Sequence, residues 1–294
     1  MVFVSIIIPI YHDWVRLALC VEALKKQTYP KHYFEIIIVN NDPEDPIPNS
    51  FCNLDNIVLL NEAKHGSYAA RNSGIRAAKG EILAFTDSDC IPLENWVEAA
   101  ASLLCNGSER VAGKIQIFGS SKKLNFAEAY DKIYAFDQKS NAYKGASVTA
   151  NMITWAKNFD LVGLFNEKLF SGGDTEWGLR AYKQGINITY SENIIVKHPA
   201  RKSVRELLMK ARRVAGGVVA VSFSKGKTFS KHEQVILAVR ALVPPLRGVK
   251  KIIRNNETTF VEKCAAYIVS YYMKIMSCYY RIRLINGWDK PQRI

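Results

Sequence analysis

The feature that most limits the fold is a recurrence of short, β-branched, almost wholly apolar runs, each followed at once by polar or acidic residues: SIIIPIYH at 5–12, EIIIVNND at 35–42 and EILAFTDSD at 81–89. A strand buried on both faces reads as a continuous apolar run, whereas a half-exposed strand alternates. Residues 3–9, 35–39, 57–60 and 81–86 are therefore expected to be strands, with helical spacing at 14–27 and 67–78 between them. Strands alternating with helices imply a parallel sheet with right-handed crossovers. The expected class is α/β, a mostly parallel, Rossmann-like central sheet flanked by helices. Further strands are expected at 111–118 and 194–197, with a helix around Trp96 and a mixed second half of the sheet. Ligands of such sheets gather beyond the carboxyl ends of the strands. Tyr11, Asn40 to Asp42 and Asp87 to Asp89 hold those positions.

Charge separates the chain into two parts. Residues 1–200 carry 20 Lys+Arg against 22 Asp+Glu, and residues 201–294 carry 20 against 5, so the whole excess of +13 arises from −2 and +15. The basic part suits an anionic partner, a nucleic acid or the headgroups of a membrane. A basic helix is expected from 203 to about 220, Pro244-Pro245 should break the next apolar stretch, and 259–285 is a long, tyrosine-rich helical candidate. Its longest uncharged run, 264–273, is too short for the ~20 apolar residues a spanning helix needs. It suits a helix lying in the membrane interface, or one packed on protein. Six cysteines without a C-x-x-C pair indicate neither a zinc site nor a disulfide framework. The first residues have no basic n-region and do not read as a signal peptide.

Asp87-Ser88-Asp89 sits directly after an expected strand, where two carboxylates at this spacing can offer oxygen ligands to Mg²⁺ or Mn²⁺. Gly173-Asp174-Thr175-Glu176 opens a helical segment, where Asp174 can cap the helix and Glu176 is favourable in its first turn. The blocks SIIIPIYH, EIIIVNND, ARNSGI (70–75), AFTDSD (84–89), TANMI (149–153), GGDTEWGLR (172–180) and VKHP (196–199) occur in the order in which they stand in glycosyltransferase family 2. The chain resembles that family over about 200 residues, and the ordered set is far more specific than any one block.

The resemblance implies a GT-A-type single domain and an inverting, metal-assisted transfer from a nucleotide-diphosphate sugar to an acceptor hydroxyl. By position it implies that Pro9, Tyr11, Asn40 and Asn41 line the nucleoside pocket, that Arg71 lies near the base or phosphates, and that Asp87 and Ser88 contact the nucleotide sugar. Asp87 and Asp89 would hold the metal, Mn²⁺ or Mg²⁺, with His198 completing its site. Asp174 would be the general base, with Glu176 as the alternative. Two departures stand out: Asn40 and Asn41 replace a frequent acidic pair, and Gly173 replaces a frequent glutamate.

The expected partners are a UDP-sugar, a saccharide or lipid-linked acceptor in polysaccharide or glycolipid synthesis, and a membrane surface met by the C-terminal region. A homodimer is open and no nucleic acid is expected. The expected division is a catalytic domain at 1–222 and a basic, apolar helical extension at 223–294, working at the cytoplasmic face of the cell membrane. The competing readings are a sugar-nucleotide nucleotidyltransferase, disfavoured because the loop PIYHDWVR has no glycine, and a non-enzymatic basic binder of membrane or nucleic acid.

Overall fold

The computed structural model describes residues 1–52, 54–224 and 226–290. In chain order the elements are β1 (Val4–Ile10), α1 (Trp14–Lys25), β2 (Phe34–Asn40), β3 (Ile57–Asn61), α2 (Ser67–Ala77), β4 (Ile82–Phe85), β5 (Ile91–Pro92), α3 (Trp96–Cys105), β6 (Arg110–Phe118), α4 (Phe126–Tyr134), α5 (Gln138–Tyr143), β7 (Met152–Trp155), α6 (Lys157–Val162), α7 (Gly173–Lys183), β8 (Ile188–Pro199), α8 (Val204–Ser224), α9 (Lys231–Leu242), α10 (Leu246–Arg254) and α11 (Phe260–Ile285). They form two compact units. The first comprises Met1–Gln116, Asp137–Lys168 and Gly173–His198; the second comprises Ile117–Phe136, Leu169–Gly172 and Pro199–Ile294. The expected boundary at 222/223 falls inside α8.

The first unit is built on a sheet of order β3-β2-β1-β4-β7-β6-β8-β5. The pairs β3/β2, β2/β1 and β1/β4 are parallel, whereas β4/β7, β7/β6 and β8/β5 are antiparallel, which is the mixed second half expected from the sequence. In β1, Ile6, Ile8 and Ile10 face one side and pack with Leu17 and Leu24 of α1 and Trp96 of α3. Ile7 points the other way, against α2, where a Cβ on Gly74 would come within 2.6 Å of its Cγ2. Both faces are covered, which is why the strand sequence does not alternate.

The strand expected at 194–197 is the end of a twelve-residue strand. Its first half, ITYSEN, is largely solvent-facing and polar, so no apolar run announced it. Asn151, wholly buried, joins the antiparallel half: it accepts from Trp96 Nε1 at 2.9 Å and donates to the carbonyls of Lys114 and Ile194 at 2.9 and 3.0 Å.

The second unit is helical. α4 packs with α8 and α11 through Ala127, Leu207, Val269 and Met273, and with α10 and α11 through Ala129, Ile133, Ile252 and Ala266. Three of its helices open with capping boxes, Asn125 with Glu128, Ser230 with Glu233 and Thr259 with Glu262, each satisfying otherwise orphaned first-turn N–H groups. Pro244-Pro245 separates α9 from α10 as expected. No helix among the described residues is long and apolar enough to cross a membrane.

Candidate active site

The site lies where β1, β2 and β4 end, all within the first unit. At the end of β4, the Cys90 N–H donates to the Asp87 carbonyl at 3.1 Å and closes a turn. The next residues form β5, whose antiparallel register sets Ile91 opposite Lys197 of β8. One step further along that register His198 comes opposite Cys90, which brings its Nε2 to 3.6 Å from Asp89 Oδ2. Two segments more than a hundred residues apart thus meet because a two-residue strand pairs there.

Asp89, Cys90 and His198 are a group among the described residues whose ligand atoms all lie within 4.8 Å of one another. Burial, with help from the Asp87 and Asp89 charges, pushes the Cys90 thiol well up, which disfavours the thiolate form. What is left, the Asp89 carboxylate and the His198 imidazole, is a pair of donors that can ligate a divalent cation.

Asp87 itself is held from beneath. Arg71 of α2, buried, donates from Nη2 to Asp87 Oδ1 at 2.5 Å. The Arg71 guanidinium lies 5.7 Å from the centroid of the Tyr68 ring, and its buried Nε has no hydrogen-bond partner among the described residues. Tyr68 in turn donates to Asp174 Oδ1 at 3.1 Å. Asp174, Tyr68, Arg71 and Asp87 form one chain of contacts from the start of α7 to the acidic turn. Tyr68 was not singled out by the sequence, although it stands three residues before Arg71, on the same inward face of the helix.

Asp174 is buried at the N-terminus of α7. Its Oδ1 also accepts the Thr175 N–H at 2.8 Å, while Oδ2 accepts the Thr149 N–H at a long 3.4 Å. Burial raises its pKa, and the Thr175 N–H, the Arg71 charge and the Tyr68 hydroxyl oppose that rise without cancelling it. A carboxylate so placed is a stronger base than an exposed one. Glu176 is different: it receives Nε and Nη2 of Arg180 at 2.7 and 3.2 Å, and Arg180 also donates to the Val162 and Leu164 carbonyls. Glu176 therefore anchors α7 to the segment after α6. The glycine at 173 also has a reason, since a Cβ there would stand 2.8 Å from Cε2 of Tyr68.

On the nucleoside side, Pro9 ends the buried run of β1 and Tyr11 is exposed beyond it. Ser88 sits at the crest of the acidic turn, half-buried. Asn40 and Asn41 are buried, and both N–H donors of each amide are committed. Asn40 donates to the Asp45 carbonyl and Asn61 Oδ1, and Asn41 donates to the Glu62 and Lys64 carbonyls while accepting from the Gly66 N–H. The two amides tie the end of β2 to the segments carrying Asp45, Asn61, Glu62, Lys64 and Gly66. Nearer the surface, His12 stands 2.8 Å from Asp42 and 3.5 Å from Asp45, on a backbone with φ of 57°. Arg16 bridges Asp13 at 2.5 Å and Asp89 at 3.5 Å. Arg16 carried no motif; its only signal was its place one turn into the helix that follows the first strand.

The sequence model of the family described as glycosyl transferase family 2 matches residues 5–157. Glycosyltransferase AglE of Haloferax volcanii is 36% identical over 226 residues, 74% of each chain. A Methanococcus voltae dolichyl N-acetyl-α-D-glucosaminyl phosphate 3-β-D-2,3-diacetamido-2,3-dideoxy-β-D-glucuronosyltransferase is 24% identical over 226 residues, 70% of each chain. Among solved structures, mannosyltransferase PcManGT from Pyrobaculum calidifontis, in complex with GDP-Man and Mn²⁺, superposes with a TM-score of 0.65 over 98% of this chain and 87% of its own. At 16% identity that likeness establishes the GT-A fold alone. The family match covers more than half of the chain and contains the acidic turn and its arginine, so the chain belongs to glycosyl transferase family 2 and is a glycosyltransferase.

Proposed function

We propose that the protein transfers a sugar from a nucleotide-diphosphate sugar to an acceptor hydroxyl with inversion at the anomeric carbon, assisted by a divalent cation. The observation that carries this reading is the approach of His198 to Asp89 in an acidic turn whose other carboxylate, Asp87, is connected through Arg71 and Tyr68 to the buried Asp174. Asp87, Asp89 and His198 would hold Mn²⁺ or Mg²⁺. When bound, the cation would offset the negative charge that grows on the leaving diphosphate.

The chain's own residues supply the rest. Arg71 fixes Asp87 and has Nε left to donate. Tyr68 and the Thr175 N–H occupy Oδ1 of Asp174, leaving Oδ2 as the oxygen that takes the proton from the acceptor hydroxyl. As that proton moves, the acceptor oxygen forms its bond to the anomeric carbon while the bond to the diphosphate oxygen breaks on the opposite face. The acceptor is proposed to be a saccharide or lipid-linked glycan at a membrane surface, and a UDP-sugar is the first donor to test.

The test is release of nucleoside diphosphate from a panel of nucleotide sugars with and without Mn²⁺, with the product anomer read by NMR. Asp89→Ala should abolish the metal-dependent turnover. Wild-type turnover by that variant, or a product that retains the donor's anomeric configuration, would overturn the proposal.

A further inference from the structure

Among the described residues, the helical unit presents apolar rows to solvent. On α11, Val261, Cys264, Ile268, Tyr272 and Tyr279 are all exposed, Ile268 at 70%. Their spacings of 3, 4, 4 and 7 place them on one side of a helix, along about 27 Å at 1.5 Å per residue. The opposite side is already used, because Ala266, Val269 and Met273 pack against α4 and α8. On α9, Val235, Val239 and Leu242 form a second exposed row at spacings of 4 and 3. α10 adds Leu246 and Ile253, 69% and 68% exposed, on the same helix as the exposed Lys250 and Arg254. α11 is tied to the end of α9, where the Tyr271 hydroxyl donates to the Leu242 carbonyl at 2.5 Å and Lys274 Nζ donates to the Val243 carbonyl at 2.6 Å, and α10 packs in one cluster with α11 through Ile252 and Ala266.

Charge decides what such a surface can meet. The five acidic residues after position 200 are all engaged inside the helical unit: Glu206 with Ser203, Glu233 with Ser230, Glu257 with Lys132, Glu262 with Thr259, and Asp289 with Arg212. Against these five stand 20 Lys+Arg, so residues 201–294 keep an excess of +15. A second copy would bring the same positive charge against itself. A nucleic acid would satisfy the cations and leave the apolar rows wet. An anionic lipid interface satisfies both, because hydrocarbon takes the apolar side chains and headgroup phosphates take the cations.

We propose that α9, α10 and α11 form a platform that docks the enzyme on an anionic phospholipid bilayer, with the rows through Val239 and Ile268 entering the interface and Arg240, Lys250 and Arg254 meeting headgroup phosphates. This deepens the proposed action at a membrane surface and rests on it, but it is independent of the chemistry at Asp174.

The experiment is flotation of the full chain with two kinds of vesicle, phosphatidylcholine alone and a mixture with roughly one lipid in three phosphatidylglycerol. Wild type is expected to float with the anionic vesicles and to be released by high salt. Val239→Glu combined with Ile268→Glu, and separately Lys250→Glu combined with Arg254→Glu, should each weaken that binding at least tenfold. Both pairs should leave the melting temperature and the vesicle-free hydrolysis of nucleotide sugar unchanged. Failure of wild type to bind anionic vesicles, or wild-type binding by the doubly substituted proteins, refutes the platform. A solution dimer dispersed by Ile268→Glu would assign the face to a second copy, and salt-sensitive binding of RNA in place of vesicles would assign it to nucleic acid; either result overturns the lipid proposal. Loss of sugar hydrolysis with flotation intact would instead count against the catalytic reading.

Discussion

Replacing Asp174 by asparagine separates catalysis from folding. The amide is nearly isosteric, and its oxygen can keep the Tyr68 and Thr175 hydrogen bonds that Oδ1 accepts. What it loses is the contact of Oδ2 with the Thr149 N–H, already long at 3.4 Å and contributing little. It also loses the capacity to take a proton. A positioned general base is worth about 10²- to 10⁴-fold, or about 3–5 kcal/mol of barrier. Turnover should fall by that factor while the donor KM stays within about threefold, because Asp174 reaches the acidic turn only through Tyr68 and Arg71.

Stability should move the other way. Burial makes the folded protein prefer protonated Asp174, so its folded pKa lies above the unfolded one. The stabilising contribution of such a group is complete below the unfolded pKa, near 3.9, and is lost as pH rises through the folded value. At neutral pH the wild type therefore holds a desolvated charge that the asparagine variant lacks. The variant should melt at the same temperature or higher at pH 8, and the difference should close in acid. Steady-state release of nucleoside diphosphate, paired with thermal melts at several pH values, reads both. Turnover within tenfold of wild type, or a variant that melts lower at pH 8, would refute the assignment of a buried catalytic base.

Glu176→Gln should leave turnover within about threefold and cost about 1 kcal/mol of stability through the weakened Arg180 pair, measured by denaturant unfolding; a hundredfold loss of activity would move the base role to Glu176. Gly173→Ala pushes a methyl against the Tyr68 ring and should cost about 1–3 kcal/mol while lowering turnover, because the residue that orients Asp174 is displaced. Asn41→Asp turns a carboxylate toward the Glu62 and Lys64 carbonyls in place of two N–H donors, and a loss of roughly 1–3 kcal/mol in chemical denaturation is expected.

Much of the parallel half of the sheet was legible because full burial writes itself as unbroken apolar runs, as in VSIIIPI and FEIIIVN. The acidic turn was legible for the same reason, since it follows such a run directly. The first half of β8 was not, because its exposed face is polar, and β5 is two residues long and exists only through its pairing. The meeting of His198 with Asp89 follows from that register, so local sequence could not supply it. The roles of Tyr68 and Arg71 were hidden for another reason: their meaning lies in contacts with Asp174 and Asp87, 106 and 16 residues away. Gly173 and Asn41 appeared as departures from a family pattern. The structure explains each locally, one by the Tyr68 ring and the other by two backbone carbonyls that need donors.

The claim on which the account rests is that the acidic turn and His198 grip a cation that in turn holds a nucleotide diphosphate. Calorimetric titration of UDP into the full chain, with Mn²⁺ and with EDTA, tests it without requiring the acceptor or the sugar to be known; GDP serves as the second nucleotide. The expected result is binding that needs Mn²⁺ and falls at least tenfold in Asp89→Asn and in His198→Ala, with both variants folded by thermal melt. Binding of equal strength in EDTA, or unaltered by either substitution, would contradict it.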